Sequence, residues 1–146
     1  VVEWFKAPVL KTGDVQASVG SNPTLSVLNL FKMKHILFTL IGCKSDLIDD
    51  EGFVRDVVYQ AAKVCNSTLL ALNSHKFEPQ GVTCVAMLAE SHISIHTWPE
   101  NNTAVCDVFT CGDHTDPEKA ADYMKEEFEA SEIQKKFIDR SLDNLS

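Results

Sequence analysis

From Met33 onward the chain runs as short apolar periods separated by turn residues. His35 to Cys43 is nearly continuous in apolar character and predicts a buried strand. Asp49-Asp50-Glu51 supplies the acidic first turn that a helix N-terminus favours. Val54, Val57, Val58, Ala61 and Val64 follow at helical spacing, so a helix is expected to run to about Cys65. Thr68 to Phe77 and Val82 to Ala89 flank the turn signal Pro79-Gln80-Gly81 and read as a hairpin. His92-Ile-Ser-Ile-His-Thr-Trp98 alternates polar and apolar residues at strand period. Pro99 to Asn102 then turns the chain into Thr103 to Thr110, giving a second hairpin. Asp116-Pro117-Glu118 joins a capping Asp, a Pro at the first helical position and an acidic first turn, and Ala120, Met124 and Phe128 mark the buried face of that helix.

The order strand, helix, four strands, helix predicts an α+β fold, a two-layer α/β sandwich with an antiparallel-rich sheet and two helices on one face. The other sheet face then needs a cover. A second protomer would supply it, dimerising the domain into a four-layer assembly. The stretch from Ser131 to Ser146 is polar and predicts neither a definite element nor a second domain.

Residues 1–32 break the pattern. Pro8, Gly13, Gly20 and Asn22-Pro23 interrupt any regular element, which is the behaviour of a disordered arm. Back-translation sharpens this: Pro8 to Gly13 can be written as a stem around a seven-base loop, as in a tRNA anticodon arm, and Val19 to Thr24 as a T arm. The expectation is a non-native N-terminal extension, a translated tRNA gene, with the functional domain spanning 33–146. Ile36 to Ile41 followed by Gly42-Cys43 mimics a lipoprotein signal, but the apolar run is shorter than the roughly 7–15 residues such a core needs.

Composition narrows the partners. The 146 residues, 45% hydrophobic, suffice for one domain with its own core. A net charge of -8 argues against nucleic acid, whose phosphates demand clustered Lys and Arg. Five cysteines without CxxC spacing fit a reduced, cytoplasmic setting, and no membrane association is expected. Cys43, Cys65, Cys84 and Cys106 read as packed thiols, whereas Cys111, followed by Gly112 at a strand end, has better access.

The chemistry concentrates in Glu90-Ser-His-Ile-Ser-Ile-His-Thr-Trp-Pro-Glu100 and Val108-Phe-Thr-Cys-Gly112. No glycine loop able to cradle a cofactor occurs, so an electrophile must come from the polypeptide or an added ligand. Ser91 can attack the carbonyl of Glu90 and turn the amide into an ester. Loss of the Ser91 Cα proton then expels Glu90 as a carboxylate and leaves, after hydrolysis, a covalent pyruvoyl group on a chain cut between residues 90 and 91. Its ketone can form a Schiff base with an amine substrate and act as an electron sink for decarboxylation. The carbanion needs an acid, for which Cys111 and His96 are the available pair.

With His75-Lys-Phe-Glu-Pro-Gln-Gly81 and Asp107-Val-Phe-Thr-Cys-Gly-Asp113, these segments resemble the bacterial and archaeal S-adenosylmethionine decarboxylase proenzymes over about Met33 to Ala130. The resemblance implies a zymogen whose Ser91 is the pyruvoyl precursor, with His96 driving processing and Cys111 as the catalytic proton donor. Phe77 matches the ring that stacks on adenine and Glu100 the carboxylate that holds the ribose hydroxyls. It also implies a homodimer of cleaved protomers, two α and two β chains, with active sites at the interface and a product that donates aminopropyl groups for spermidine. No metal is called for. Thr83 stands where relatives tend to have a processing Ser, and Leu40-Ile41 where an aromatic residue would help clamp the substrate.

Three other readings remain open from the residues: the same machinery acting on ornithine or arginine, a Cys111–His96 hydrolase that leaves Ser91 intact, and an unprocessed binding partner. Strict alternation also sets Ser91 and His96 on opposite sheet faces, so joint action requires a bend near Glu90 to His92.

Overall fold

The computed structural model of the chain describes residues 32–140. The extension anticipated before Met33 lies, apart from Lys32, outside the described residues, as do 141–146. The elements are β1 (Met33–Ile41), α1 (Ser45–Asp49), α2 (Glu51–Val64), β2 (Leu69–Lys76), β3 (Val82–Leu88), β4 (Ser91–Trp98), β5 (Thr103–Cys111), α3 (Pro117–Glu127) and β6 (Glu132–Asp139), with a single 3-10 turn at Pro99–Asn101. The strands form one six-stranded sheet in the order β2-β3-β4-β5-β1-β6. Every neighbouring pair is antiparallel.

The α+β sandwich read from the sequence is the architecture observed, and the helix boundaries follow their caps. The Asp50 side chain accepts from Phe53 N at 2.9 Å at the start of α2, and Asp116 accepts from Lys119 N at 3.3 Å ahead of Pro117 in α3. Alternation then decides the faces. Ile36, Phe38, Leu40, Cys84, Ala86, Ile93, Ile95, Cys106 and Val108 turn inward with Val54, Val58 and Ala61 of α2 and Ala120, Ala121, Met124 and Phe128 around α3. Each fully buried Ile, Val or Phe there contributes about 1.5–3 kcal/mol.

Two elements differ from expectation. The one-turn helix α1 precedes α2, and the tail counted as featureless supplies the edge strand β6, paired with β1 from Lys34↔Asp139 to Ile41↔Glu132. Its period is obscured because Lys135 occupies an inward register position opposite Phe38 and reaches Asp122 and Glu118 on the helix side. A Lys on an edge strand is a usual guard against further strand pairing.

The opposite face is open. Leu37, Val85, Met87, Trp98 and Val105 are each between 37% and 42% exposed there, in the same plane as His35, Ser94, His96 and Asp107.

Candidate active site

Leu88 pairs directly with Ser91, so Ala89 and Glu90 form a two-residue turn between β3 and β4. Turns this tight usually take left-handed φ at their central residues. Neither Ala89 nor Glu90 does so, and the positive φ falls on Ser91, at 148°. A non-glycine residue there is strained by about 1–3 kcal/mol. The backbone is therefore irregular within the stretch Glu90 to His92, where joint action of Ser91 and His96 would call for a bend. The irregularity lies at the residue expected to react.

Glu90 is held at both ends. Its carbonyl accepts from Cys111 N at 3.0 Å, and its carboxylate accepts from Thr68 N at 2.8 Å and contacts His114 Nε2 at 3.4 Å. The N–H of Cys111 thus polarises the carbonyl that a Ser91 hydroxyl would attack and would steady an oxyanion formed there. The side chain of Cys111 is half-buried at the end of β5. By contrast, burial pushes the Cys43 and Cys84 thiols up to about 11 and raises those of Cys65 and Cys106 as well, in keeping with packed, inert cysteines.

A second group of expected residues gathers at the far end of β4. Thr83 Oγ1 and His96 Nδ1 are 2.8 Å apart, so the threonine hydroxyl reaches the imidazole. Phe77, Gln80, Thr83, His96, Trp98 and Glu100 line a cleft of about 330 Å³, at the small end of the roughly 300–1,000 Å³ usual for ligand sites. Gln80 Nε2 donates to Glu100 Oε2 at 3.1 Å, and the His75 ring meets Phe77 edge-on at 4.6 Å. The turn carrying Phe77 is fastened from below: Asp49 accepts from Gly81 N at 2.8 Å and pairs with Lys76. Those two donors hold the Asp49 carboxyl below its ordinary pKa. Trp98, which by sequence could equally have been a core ring, stands 42% exposed beside the cleft.

The structure does not bring the two groups together within one protomer. Ser91 faces Thr110 across β5, whereas His96 faces Val105, five residues further along, roughly 16 Å at the rise of a strand. Cys111 and His96 are separated by at least as much, so the expected acid pair, and with it a Cys111–His96 hydrolase within one chain, is not assembled here.

Between the groups lies a cluster that no single sequence motif marks. His35 Nε2 and His92 Nε2 both contact Asp107 Oδ2, at 3.1 and 2.9 Å, and Ser94 Oγ donates to Asp107 Oδ1. Burial alone would raise the Asp107 carboxyl, but the bonds from Ser94, His35 and His92 outweigh it and keep its pKa below the ordinary value. The sequence signal was the shared outward parity of His35, His92, Ser94 and Asp107. It became legible only once β1, β4 and β5 were known to be neighbours. Among the described residues no set of three His, Cys, Asp or Glu side chains is arranged to hold a metal ion, and no helix is long and apolar enough to cross a membrane.

Comparison with known proteins gives the arrangement its class. The profile of the S-adenosylmethionine decarboxylase family matches residues 34–141. The S-adenosylmethionine decarboxylase proenzyme of Synechococcus sp. strain WH7803 is 56% identical over 97 residues, 66% of this chain and 76% of the relative. That of Pyrobaculum neutrophilum is 46% identical over 110 residues, 75% of this chain and 89% of the relative. The crystal structure of the adenosylmethionine decarboxylase from Aquifex aeolicus superposes with a TM-score of 0.71 at 39% identity, covering 76% of this chain and 92% of that one. These matches put the chain among the carboxy-lyases, enzymes that release carbon dioxide from an organic acid. More narrowly, it belongs to the S-adenosylmethionine decarboxylase family.

Proposed function

We propose that the chain is a zymogen that cuts itself between Glu90 and Ser91 and then decarboxylates S-adenosylmethionine, yielding the aminopropyl donor for spermidine. The observation that carries this reading is the junction itself, a strained Ser91 beside a Glu90 carbonyl already bonded by Cys111 N–H. Ser91 Oγ bonds to the Glu90 carbonyl carbon as the C–N bond breaks. Removal of the Ser91 Cα proton then releases the Glu90 carboxylate, and water displaces ammonia. The residues present fit a pyruvoyl group at position 91, because Ser91 is only partly buried, lies opposite Thr110 at the end of β5 and is next to Cys111, whose side chain is also partly exposed. Such a group supplies a ketone that takes up the substrate amine and draws electrons from the α-carbon.

His96, oriented by Thr83, serves processing, and the Cys111 thiol returns a proton to the α-carbon. Phe77 and Trp98 offer exposed rings for an adenine and Glu100 a carboxylate for ribose hydroxyls, a lining that favours a nucleoside over ornithine or arginine.

The separation of the two groups is resolved by a homodimer, two α and two β chains after cleavage. A two-fold axis over the open face covers Leu37, Val85, Met87 and Val105 and sets the His96 group of one protomer over the Ser91 group of its partner.

Intact mass measurement of the chain, with Ser91→Ala as control, tests the reading. Two fragments meeting at residues 90 and 91 are expected, the second lighter by one ammonia than a chain starting with serine. A single mass matching the control overturns it.

A further inference from the structure

The His35–Asp107–His92 cluster has no role in the scheme above, yet it reaches the scissile turn. His92 Nδ1 lies 3.5 Å from Ser91 Oγ, while its Nε2 lies 2.9 Å from Asp107 Oδ2. We propose that His92 is the base that takes the Ser91 hydroxyl proton in the first step of self-cleavage, and that Asp107 is the positioning residue that fixes its tautomer. This rests on the self-cleavage reading and extends it to a residue that reading leaves idle.

The tautomer follows from the partners. A carboxylate can only accept, so the proton of a neutral His92 sits on Nε2 towards Asp107 and leaves the Nδ1 lone pair facing the Ser91 hydroxyl. Serine, imidazole and carboxylate then stand in the order that activates a hydroxyl nucleophile. Asp107 is itself fixed, with Ser94 on one oxygen and His35 sharing the other. The Phe109 ring packs against both imidazoles, at centroid distances of 5.3 and 5.8 Å, with the Arg140 guanidinium 4.5 Å from its own centroid. The other nearby imidazole, His114, contacts the Glu90 carboxylate. His96 is committed to Thr83 at the distant end of the strand.

In the step itself the Oγ–H bond breaks with the proton passing to His92 Nδ1, and Oγ bonds to the Glu90 carbonyl carbon. The carbonyl oxygen is steadied by Cys111 N–H. The carbon–nitrogen bond then breaks as His92 returns the proton to the Ser91 nitrogen, so no outside reactant is consumed. His96 is left to the later stage, removal of the Cα proton.

Self-cleavage of the full chain, followed by intact mass with and without imidazole or hydroxylamine, tests this. Hydroxylamine severs an ester and so reports whether the acyl shift has occurred. His92→Ala and His92→Asn are expected to cut at least about 100-fold more slowly and to release no fragment with hydroxylamine. Imidazole is expected to restore cutting in His92→Ala. Asp107→Asn is expected to slow the cut about tenfold, the scale of one lost hydrogen bond to a charged group, with partial recovery in Asp107→Glu. Cutting at the native rate in either His92 variant, or hydroxylamine release from them, overturns the proposal. So does a loss that imidazole leaves unrepaired in chains with native circular dichroism. A native chain that stays whole instead overturns the self-cleavage reading beneath it.

Discussion

Cys111 presents two different groups to the site, and their effects are separable. Its backbone N–H holds the Glu90 carbonyl, which any side chain at this position would preserve, whereas its thiol is the proton donor proposed for decarboxylation. Cys111→Ala is therefore expected to cut itself at close to the native rate. Carbon dioxide release is expected to fall by about 10²–10⁴, the usual range for a lost general acid. Timed mass spectra and a labelled carboxylate assay read the two effects independently, and a variant that failed to cut would show that the thiol acts earlier. Thr83 makes the complementary point. With the extra methyl of a threonine in place, its Oγ1 still stands 2.8 Å from His96 Nδ1, so the contact proposed to orient the imidazole is available to it.

The elements position these residues through turns, and Gly81 is the clearest case. It has φ of 100°, which strains any residue with a side chain, and a Cβ placed there would sit 3.1 Å from Thr97 O, a tight contact that the backbone of β4 would have to yield to. Gly81→Ala is expected to cost about 1–3 kcal/mol, seen as a lower Tm. Because the same turn carries Phe77 and meets Glu100 through Gln80, KM should rise more than kcat falls. Equal loss in both would place the turn outside substrate binding.

Strands and helices whose residues bury one face were legible in the sequence, since period and caps carry the information locally. The edge strand β6 was not, because Lys135 breaks its alternation to meet carboxylates on α3. The same limit applied at the site. Ser91, Cys111 and Thr83 could be named from their motifs, and the spacing of Ser91 and His96 read along one strand, but that Thr83 lies opposite His96, and that His35 joins Asp107, are facts of strand order.

For the whole molecule, the paired carboxylates set a pH dependence. Asp107 has its folded pKa below the unfolded value of about 3.9, so it contributes stability that is fully present above that value and lost as pH falls through the folded pKa. In an uncut Ser91→Ala background, adding Asp107→Asn is expected to flatten the decline of Tm between about pH 5 and pH 2. A decline as steep as in the parent would mean that Asp107 contributes nothing to it. The proposed dimer has its own signature. Mixing Glu100→Gln chains with Cys111→Ala chains, each nearly inactive alone, should restore about a quarter of native activity, since half the dimers carry one intact site of two. No recovery on mixing would confine each site to one protomer.

The strand order has one more consequence. β1 belongs to the segment before the cut, yet it is paired on one side with β5 and on the other with β6, both of which follow the cut. Cleavage at 90 and 91 would leave two polypeptides woven through one another, with a strand of the first clamped between strands of the second. They could part only by giving up three strand pairings, β3 with β4 and β1 with both β5 and β6. The intact precursor finds this weave as one chain, at a cost independent of concentration. The mature pieces, once pulled apart, would have to meet again in solution, so the uncut form is the natural moment for the molecule to acquire its shape.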